Sequence, residues 1–272
     1  MSEFYTPQDI KGWVVLVTGA SSGFGWAASW RFAELGCNLV LVARREERLK
    51  ELAAEICVKY PDVKVHCLPL DMQDIKKVEA MAEVLPAEFK DVDILVNNAG
   101  LALGKAPAQE NVASDVETMM TTNVTSLIVA TSVFAKGMVA RAKGHIINVG
   151  SVAGHEAYPG GSVYCASKHA VTAFTIATRH DLVKTPVRVT CISPGFAETE
   201  FAMVRFNQDS DKAAAVYADL VALSAHDIAD QIVFAATRPA HVQIADIICW
   251  PTNQAGPGNI ARVGRSLGAP EK

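Results

Sequence analysis

The chain of 272 residues is poor in the features that mark several protein classes. Its six cysteines, Cys37, Cys57, Cys67, Cys165, Cys191 and Cys249, form no CxxC pair, so neither a zinc clip nor a redox dithiol is suggested. Four of them (Cys37, Cys67, Cys191 and Cys249) sit in or beside apolar strand-like runs, as small buried hydrophobes of a reducing compartment do. No uninterrupted apolar run reaches the roughly 18–20 residues of a membrane span. The first eight residues lack the basic and apolar regions of a signal peptide. Ala269-Pro270-Glu271-Lys272 is neither a peroxisomal nor an ER-retention signal. The expectation is a cytoplasmic protein without a membrane partner. A basic excess is also missing. Lys plus Arg number 25 against 29 acids, a net charge of −4, which argues against a nucleic-acid partner because nothing is left over to neutralise phosphates. No His/Asp/Glu cluster suggests a metal.

What is present is a hydrophobic share of 50%, which excludes disordered and collagen-like classes. A chain of this length buries about three-quarters of its unfolded surface and needs no disulfide staple. Seven apolar runs read as strands: Trp13–Thr18, Asn38–Ala43, Val63–Leu68, Val92–Asn97, His145–Val149, Val187–Ile192 and Val242–Cys249. They are apolar on both faces, as the strands of a parallel sheet covered by helices are. Between them lie helical segments. Gly25–Leu35 stops at Gly36, and Arg45–Lys59 carries Leu49, Leu52 and Ile56 at helical spacing. A long helix capped by Ser114 runs to about Ala140, and Ser162–Val183 and Ala225–Thr237 follow. The alternation predicts a doubly wound, Rossmann-like α/β fold with a seven-stranded parallel sheet. With no linker or repeat in view, residues 1–272 form one expected domain. The stretch at about 194–223 breaks the rhythm and reads as a substrate loop.

Thr18-Gly19-Ala20-Ser21-Ser22-Gly23-Phe24-Gly25 joins the first strand to the first helix. Glycines let the backbone turn tightly and approach a pyrophosphate, and the helix N-terminus then offers free N–H groups. An ordinary strand–helix turn also uses glycine; the βαβ context of about 30 residues supports the nucleotide reading. NAD-binding chains carry an Asp or Glu at the end of the second strand for the ribose 2′-hydroxyl. This chain has Ala43-Arg44-Arg45, and guanidinium groups fork onto a 2′-phosphate. The predicted cofactor is NADP.

Tyr164 and Lys168 stand four apart at the head of a helix and share a face. A nearby ammonium favours the phenolate and lowers a tyrosine pKa from about 10, which would let Tyr164 exchange a proton with an alcohol or carbonyl oxygen. Ser151 follows a strand, at the carboxyl edge where ligands of such sheets bind, and can hydrogen-bond the reacting oxygen; a turn cap is its competing role.

Thr18–Gly25 (TGxxxGxG), Asn97-Asn98-Ala99-Gly100, Ser151, Tyr164-Cys165-Ala166-Ser167-Lys168 and Pro194-Gly195 stand in an order that resembles the short-chain dehydrogenase/reductase family, over about Lys11 to Cys249. The resemblance implies a catalytic tetrad of Asn123, Ser151, Tyr164 and Lys168, with Asn123 holding a water that links Lys168 to solvent. It implies cofactor contacts from Gly19, Ser21, Ser22, Gly23, Phe24, Gly25, Arg44, Arg45, Tyr164 and Lys168. Lys168 would bind the nicotinamide ribose, Asn98 and Gly100 would line the adenosine ribose, and Asp71 would touch the adenine. Pro194, Gly195 and Thr199 would hold the carboxamide and pyrophosphate. Asp93–Gly104, Ala157–Tyr164, Glu198–Phe201 with Val204–Phe206, and Pro251–Ala255 look like the NADP-dependent 3-hydroxy acid (serine or allo-threonine) dehydrogenases. That likeness implies short 3-hydroxy acid substrates and a homotetramer. A broad carbonyl reductase or pathway ketoreductase is the alternative, and a non-catalytic nucleotide-binding regulator a remote one.

Substrate contacts are expected from Ser151, Tyr164 and Arg205. Arg205, flanked by Val204 and Phe206, is a candidate clamp for a substrate carboxylate; a surface salt bridge or subunit contact is the competing reading. Trp26, unusual beside the glycine turn, is expected to pack on a neighbouring helix. His155 is expected to be a surface or capping residue rather than part of the substrate pocket. The role of the tail, Gly256–Lys272, is open.

Overall fold

The computed structural model describes residues 6–262. In chain order the strands are β1 (Val14–Thr18), β2 (Asn38–Ala43), β3 (Val65–Pro69), β4 (Val92–Asn97), β5 (His145–Val149), β6 (Arg188–Pro194) and β7 (Asp246–Cys249). The helices are α1 (Gly23–Glu34), α2 (Glu46–Lys59), α3 (Ile75–Glu79), α4 (Met81–Val84), α5 (Ala113–Met120), α6 (Ser126–Ala140), α7 (Ser162–Asp181), α8 (Phe201–Arg205), α9 (Ser210–Tyr217) and α10 (Ala225–Ala236). All seven strands are parallel, in the order β3-β2-β1-β4-β5-β6-β7. The order reverses direction between β1 and β4, which opens a crevice at their carboxyl ends. This is the doubly wound, Rossmann-like sheet that the alternation predicts.

Alternation along each strand builds two cores. Val15 and Val17 of β1 face α1, α2 and α10, in one cluster with Leu39, Leu41, Ile94 and Val96. Val14 and Leu16 point the other way, toward Val78, Met81, Phe134 and Met138 of α3, α4 and α6. A side-chain period of two serves both faces because helices cover both.

Some boundaries move for local reasons. Val63 lies in a turn that closes on Tyr60, so β3 starts at Val65. Val242 closes a turn on Pro239, and the Gln243 side chain accepts the Val189 N–H, so β7 begins only at Asp246. β6 reaches Pro194, paired with Cys249 at the strand end, where the lost N–H costs little. Ser114 is not the cap of the long helix. The extended residue before Ala113 is Val112, which leaves Ser114 inside the first turn. The stretch 194–223 contains α8 and α9, and is therefore a helical flap rather than an irregular loop. The helices α3 and α4 are too short to leave a periodic signal.

Ala113–Ala140 is one helical path interrupted by a π turn at Thr121–Thr125, where Ser126 N–H reaches back to the Thr121 carbonyl. By length and composition this path could cross a membrane, which Ser and Thr interruptions hide from a search for unbroken apolar runs. Its inner side sends Ala130, Phe134 and Met138 into the core beneath the sheet.

Phe32 of α1 is fully buried in the first core, behind the glycine turn. Phe32→Ala should lower the urea-unfolding free energy by about 3–5 kcal/mol, through lost transfer and the cavity left behind. A loss below about 1 kcal/mol would mean that the site collapses around the smaller side chain.

Candidate active site

The β1–α1 turn is built by close approach. Gly19 and Gly23 have φ of +69° and +55°, where glycine is favoured. A Cβ on Gly25 would stand 2.4 Å from the Gly19 carbonyl oxygen and 2.5 Å from Asn98 Nδ2, so no larger residue fits. Asn98 Nδ2 donates to the Thr18 carbonyl at 2.8 Å and the Gly19 carbonyl at 3.3 Å. Thr18 Oγ1 accepts from the Asn98 and Ala99 N–H groups, both at 3.0 Å, and donates to the Val96 carbonyl. The ends of β1 and β4 are thereby locked together. Ser22 precedes α1 in extended backbone, and no side chain caps the helix. The first N–H groups of α1 are thus left for an anion. A tight turn with no room for side chains, opening onto an uncapped helix, fits a dinucleotide.

Most candidate residues line one cleft of about 840 Å³ along the carboxyl edge of the sheet. Gly19, Ser21, Ser22, Gly23 and Phe24 follow β1; Arg44 and Arg45 follow β2; Asp71 follows β3; Asn98 and Gly100 follow β4. Ser151 follows β5, Tyr164 and Lys168 come from α7, and Pro194, Gly195, Thr199 and Arg205 belong to the end of β6 and the flap. Gly25 and Asn123 do not line it. Gly25 acts from behind, through its missing side chain. Asn123, in the π turn, spends its amide on the Leu101 N–H and carbonyl, both at 2.8 Å, and on Ser167 Oγ at 3.0 Å. Its amide therefore holds the wall beside Lys168, since a Cβ on Gly100 would lie 3.3 Å from Asn123 Oδ1 and 3.5 Å from Lys168 Nζ. The Asn98 amide is likewise committed to the turn, and Asp71 accepts the Gln73 N–H at 3.0 Å.

The two arginines separate. Arg44 is exposed and makes no hydrogen bond or ion pair with another described residue. Arg45 donates to Ser21 Oγ at 3.1 Å and to Glu200 at 2.8 Å.

At the opposite end, Ser151 accepts the Ala153 N–H and lies 3.5 Å from the Pro194 carbonyl, so it caps a short turn while its hydroxyl faces the cleft. Lys168 is buried and donates to the Val149 carbonyl at 2.9 Å, with Nζ 5.9 Å from the centre of the Tyr164 ring. Burial pushes Lys168 down to about 8. Burial also holds the Tyr164 phenol above its ordinary value, while hydrogen bonding from Ser151 pulls it part of the way back. The net direction is opposite to the lowering expected from Lys168, because burial outweighs the neighbouring groups.

Arg205 lies in the cleft and forms no ion pair with another described residue. Its Nη1 donates to Tyr158 Oη at 3.1 Å, its Nε to the Gly104 carbonyl at 3.0 Å, and its guanidinium carbon is 5.9 Å from the Tyr164 ring centre. Tyr158 and Phe201 are functional candidates that residue chemistry alone did not single out. Phe201 packs on Tyr164 with ring centres 5.6 Å apart. Their presence in the stretches shared with the hydroxy acid dehydrogenases was the available signal. Trp26 packs on Trp30 and on His226 of α10, as expected. His155 stays outside the cleft, hydrogen-bonded to Ser193 Oγ at 2.9 Å and 3.2 Å from Asp246.

The tail contributes up to its last described residue. Gln254 is buried and accepts the Phe196 N–H at 2.8 Å, fixing the turn after Gly195. Arg262 donates to the Val216 and Ala218 carbonyls at the end of α9, so it holds the flap down. Residues 263–272 of the tail lie outside the described residues.

The family model described as short chain dehydrogenase matches residues 13–210. An NADP-dependent 3-hydroxy acid dehydrogenase of Schizosaccharomyces pombe is 42% identical over 254 residues, 93% of this chain and 98% of the relative. A protein of Chromohalobacter salexigens named sulfoacetaldehyde reductase 2 is 46% identical over 243 residues, 89% of this chain and 95% of the relative. Among solved structures, the closed form of a serine dehydrogenase complexed with NADP+ superposes with a TM-score of 0.85 at 43% identity, over 92% of this chain and 99% of that one.

The Lys168 geometry carries a pH dependence. The group titrates at about 8 when folded and at its ordinary 10.5 when unfolded. Between those values the unfolded chain binds the extra proton, so stability rises with pH, by up to about 3 kcal/mol from this group. Urea unfolding below about pH 8 and above about pH 10 should show the wild type gaining on Lys168→Met as pH rises. Parallel curves would mean that Lys168 is not desolvated.

Proposed function

The chain belongs to the short-chain dehydrogenase family, and from that premise we propose that it is an NADP-dependent oxidoreductase acting on the CH–OH group of a short 3-hydroxy acid, or on the corresponding 3-oxo acid. The observation that carries the substrate class is the Arg205–Tyr158 pair beside the Tyr164 phenol. A guanidinium and a phenol hydroxyl, held together within reach of the candidate acid–base group, suit an anionic head group a short distance from the reacting carbon. The names of the relatives support this reading, because hydroxy acids and sulfoacetaldehyde all carry such a group.

The cofactor would lie along the cleft, with its pyrophosphate on the uncapped head of α1 and its 2′-phosphate near Arg44 and Arg45. Asp71 and the Asn98–Gly100 wall would bound the adenosine, and Pro194, Gly195 and Thr199 the nicotinamide end. NADP+ bound there supplies the carbon that accepts hydride and a ring charge that favours a phenolate nearby. In oxidation, Tyr164, its own proton first released to solvent, would take the hydroxyl proton at Oη as the phenolate, while Ser151 hydrogen-bonds the substrate oxygen. Lys168, anchored on the Val149 carbonyl, would steady the ribose and offset charge on Tyr164. Asn123 keeps the Leu101 wall and Ser167 in place around Lys168. We read the chain as one domain of a cytosolic homotetramer. Support comes from six unpaired cysteines and from the exposed apolar side chains Ile176, Phe234 and Ile248.

The first experiment measures NADP+ reduction with L-serine or 3-hydroxybutyrate against a neutral secondary alcohol of similar size, with 2-hydroxyethanesulfonate as a second anion. A kcat/KM preference for the anions is expected. Arg205→Ala should raise KM for the acid by about 10–100-fold, the loss of a charge-assisted hydrogen bond, and leave the neutral alcohol little changed. Equal use of the neutral alcohol by the wild type would make the protein a broad carbonyl reductase and Arg205 a structural residue. Tyr164→Phe should lower the turnover of every substrate by about 10²–10⁴-fold. Near-normal turnover would remove Tyr164 from the acid–base role.

A further inference from the structure

We propose that Glu200 is a latch across the cofactor cleft: it ties the start of the flap to the head of α2 and so slows the release of NADP(H). The proposal rests on the reading of the cleft as an NADP site.

Glu200 is the residue before α8. One of its carboxylate oxygens takes Arg45 Nη1 at 2.8 Å, and the other takes Arg48 Nη1. Arg45 in turn donates from Nε and Nη2 to the Ser21 hydroxyl and carbonyl, at 3.1 and 3.3 Å. Three segments distant in sequence therefore meet at one charged cluster: the glycine turn, the head of α2 and the flap. Beside the carboxylate, the Thr199 side chain faces the turn, since a Cβ on Gly23 would stand 3.5 Å from Thr199 Cβ. The flap thus closes over the part of the cleft assigned to the pyrophosphate.

The cluster is also a wall. Glu200 lines the main cleft on one side and, on the other, an outer cavity of about 440 Å³ bounded by Trp26, Arg48 and Glu55 and by Ser21, Ser22 and Gly23 of the glycine turn. Arg45 faces the main cleft, whereas Arg48 faces only the outer cavity. Partial burial works against the Glu200 carboxylate, yet hydrogen bonds from Arg48 and Arg45 keep it below the usual carboxylate range. The charge is therefore present at neutral pH. Exposed ion pairs of this kind contribute little to folding. Their effect is larger where they join elements that a bound molecule must part in order to leave. The latch also divides the labour of the two arginines. Arg45 is engaged by Glu200, whereas the Arg44 side chain has no partner among the described residues and is the more available of the two to the 2′-phosphate.

Arg48 makes the idea testable, because it does not line the main cleft and its side chain is paired with Glu200. Release of NADPH is followed by stopped flow, as the loss of protein-enhanced NADPH fluorescence on displacement by excess NADP+. Glu200→Gln should speed release about five- to tenfold. Arg48→Met should act in the same direction, and the double variant should release no faster than Glu200→Gln alone. Unchanged release in both single variants would overturn the latch while leaving the NADP site intact, as would tighter NADPH binding by Glu200→Gln, the mark of a carboxylate that merely repels the phosphate. Additive effects in the double variant would overturn it too, since Arg48 would then act independently of Glu200. A wild type that binds no NADPH would overturn the site and the latch together.

Discussion

One hydroxyl holds the crevice in which all of this chemistry is assembled. Thr18 Oγ1, at the end of β1, accepts two consecutive N–H groups from the chain leaving β4 and donates to the Val96 carbonyl. The Asn98 amide returns the contact by donating to the Thr18 and Gly19 carbonyls. Adjacent parallel strands whose connections leave in opposite directions would otherwise splay at their ends and leave main-chain groups unpaired. The clasp satisfies those groups, fixes the glycine turn and sets the distance between the two halves of the cleft. The other strands bring their residues to the same edge because every strand in the sheet points the same way.

This explains what was legible in the sequence. The glycine turn, the Asn97–Gly100 run, Ser151 and the Tyr164–Lys168 pair are tied to strand ends or to a helix face, where spacing alone determines position. Their strands announced themselves as short apolar runs, and β2, β4 and β5 have the predicted bounds. Less visible were features made by contacts between distant segments. The flap was expected as a loop because α8 and α9 are only five and eight residues long. Glu200 and Arg262 look like ordinary surface charges until the fold brings Arg45 and the end of α9 beside them. Asn123 is part of the π turn, a departure from helical hydrogen bonding that no residue pattern disclosed.

The electrostatics of the catalytic end were only half legible. Four-residue spacing correctly put Tyr164 and Lys168 on one helix face, but it could not report the depth of the site. Burial works on both groups in the direction of neutrality, toward a protonated phenol and a weakened ammonium.

Gln254 and Arg262 also bear on how the molecule comes into being. The glycine turn and its clasp are made early in synthesis, but the Phe196 turn and α9 are secured by residues that emerge far later. The Glu200 and Arg205 contacts of the flap can form before then, but the turn after Gly195 and the end of α9 gain their partners only when Gln254 and Arg262 have been made. The order of synthesis thus secures the glycine-turn end of the cleft before its flap end.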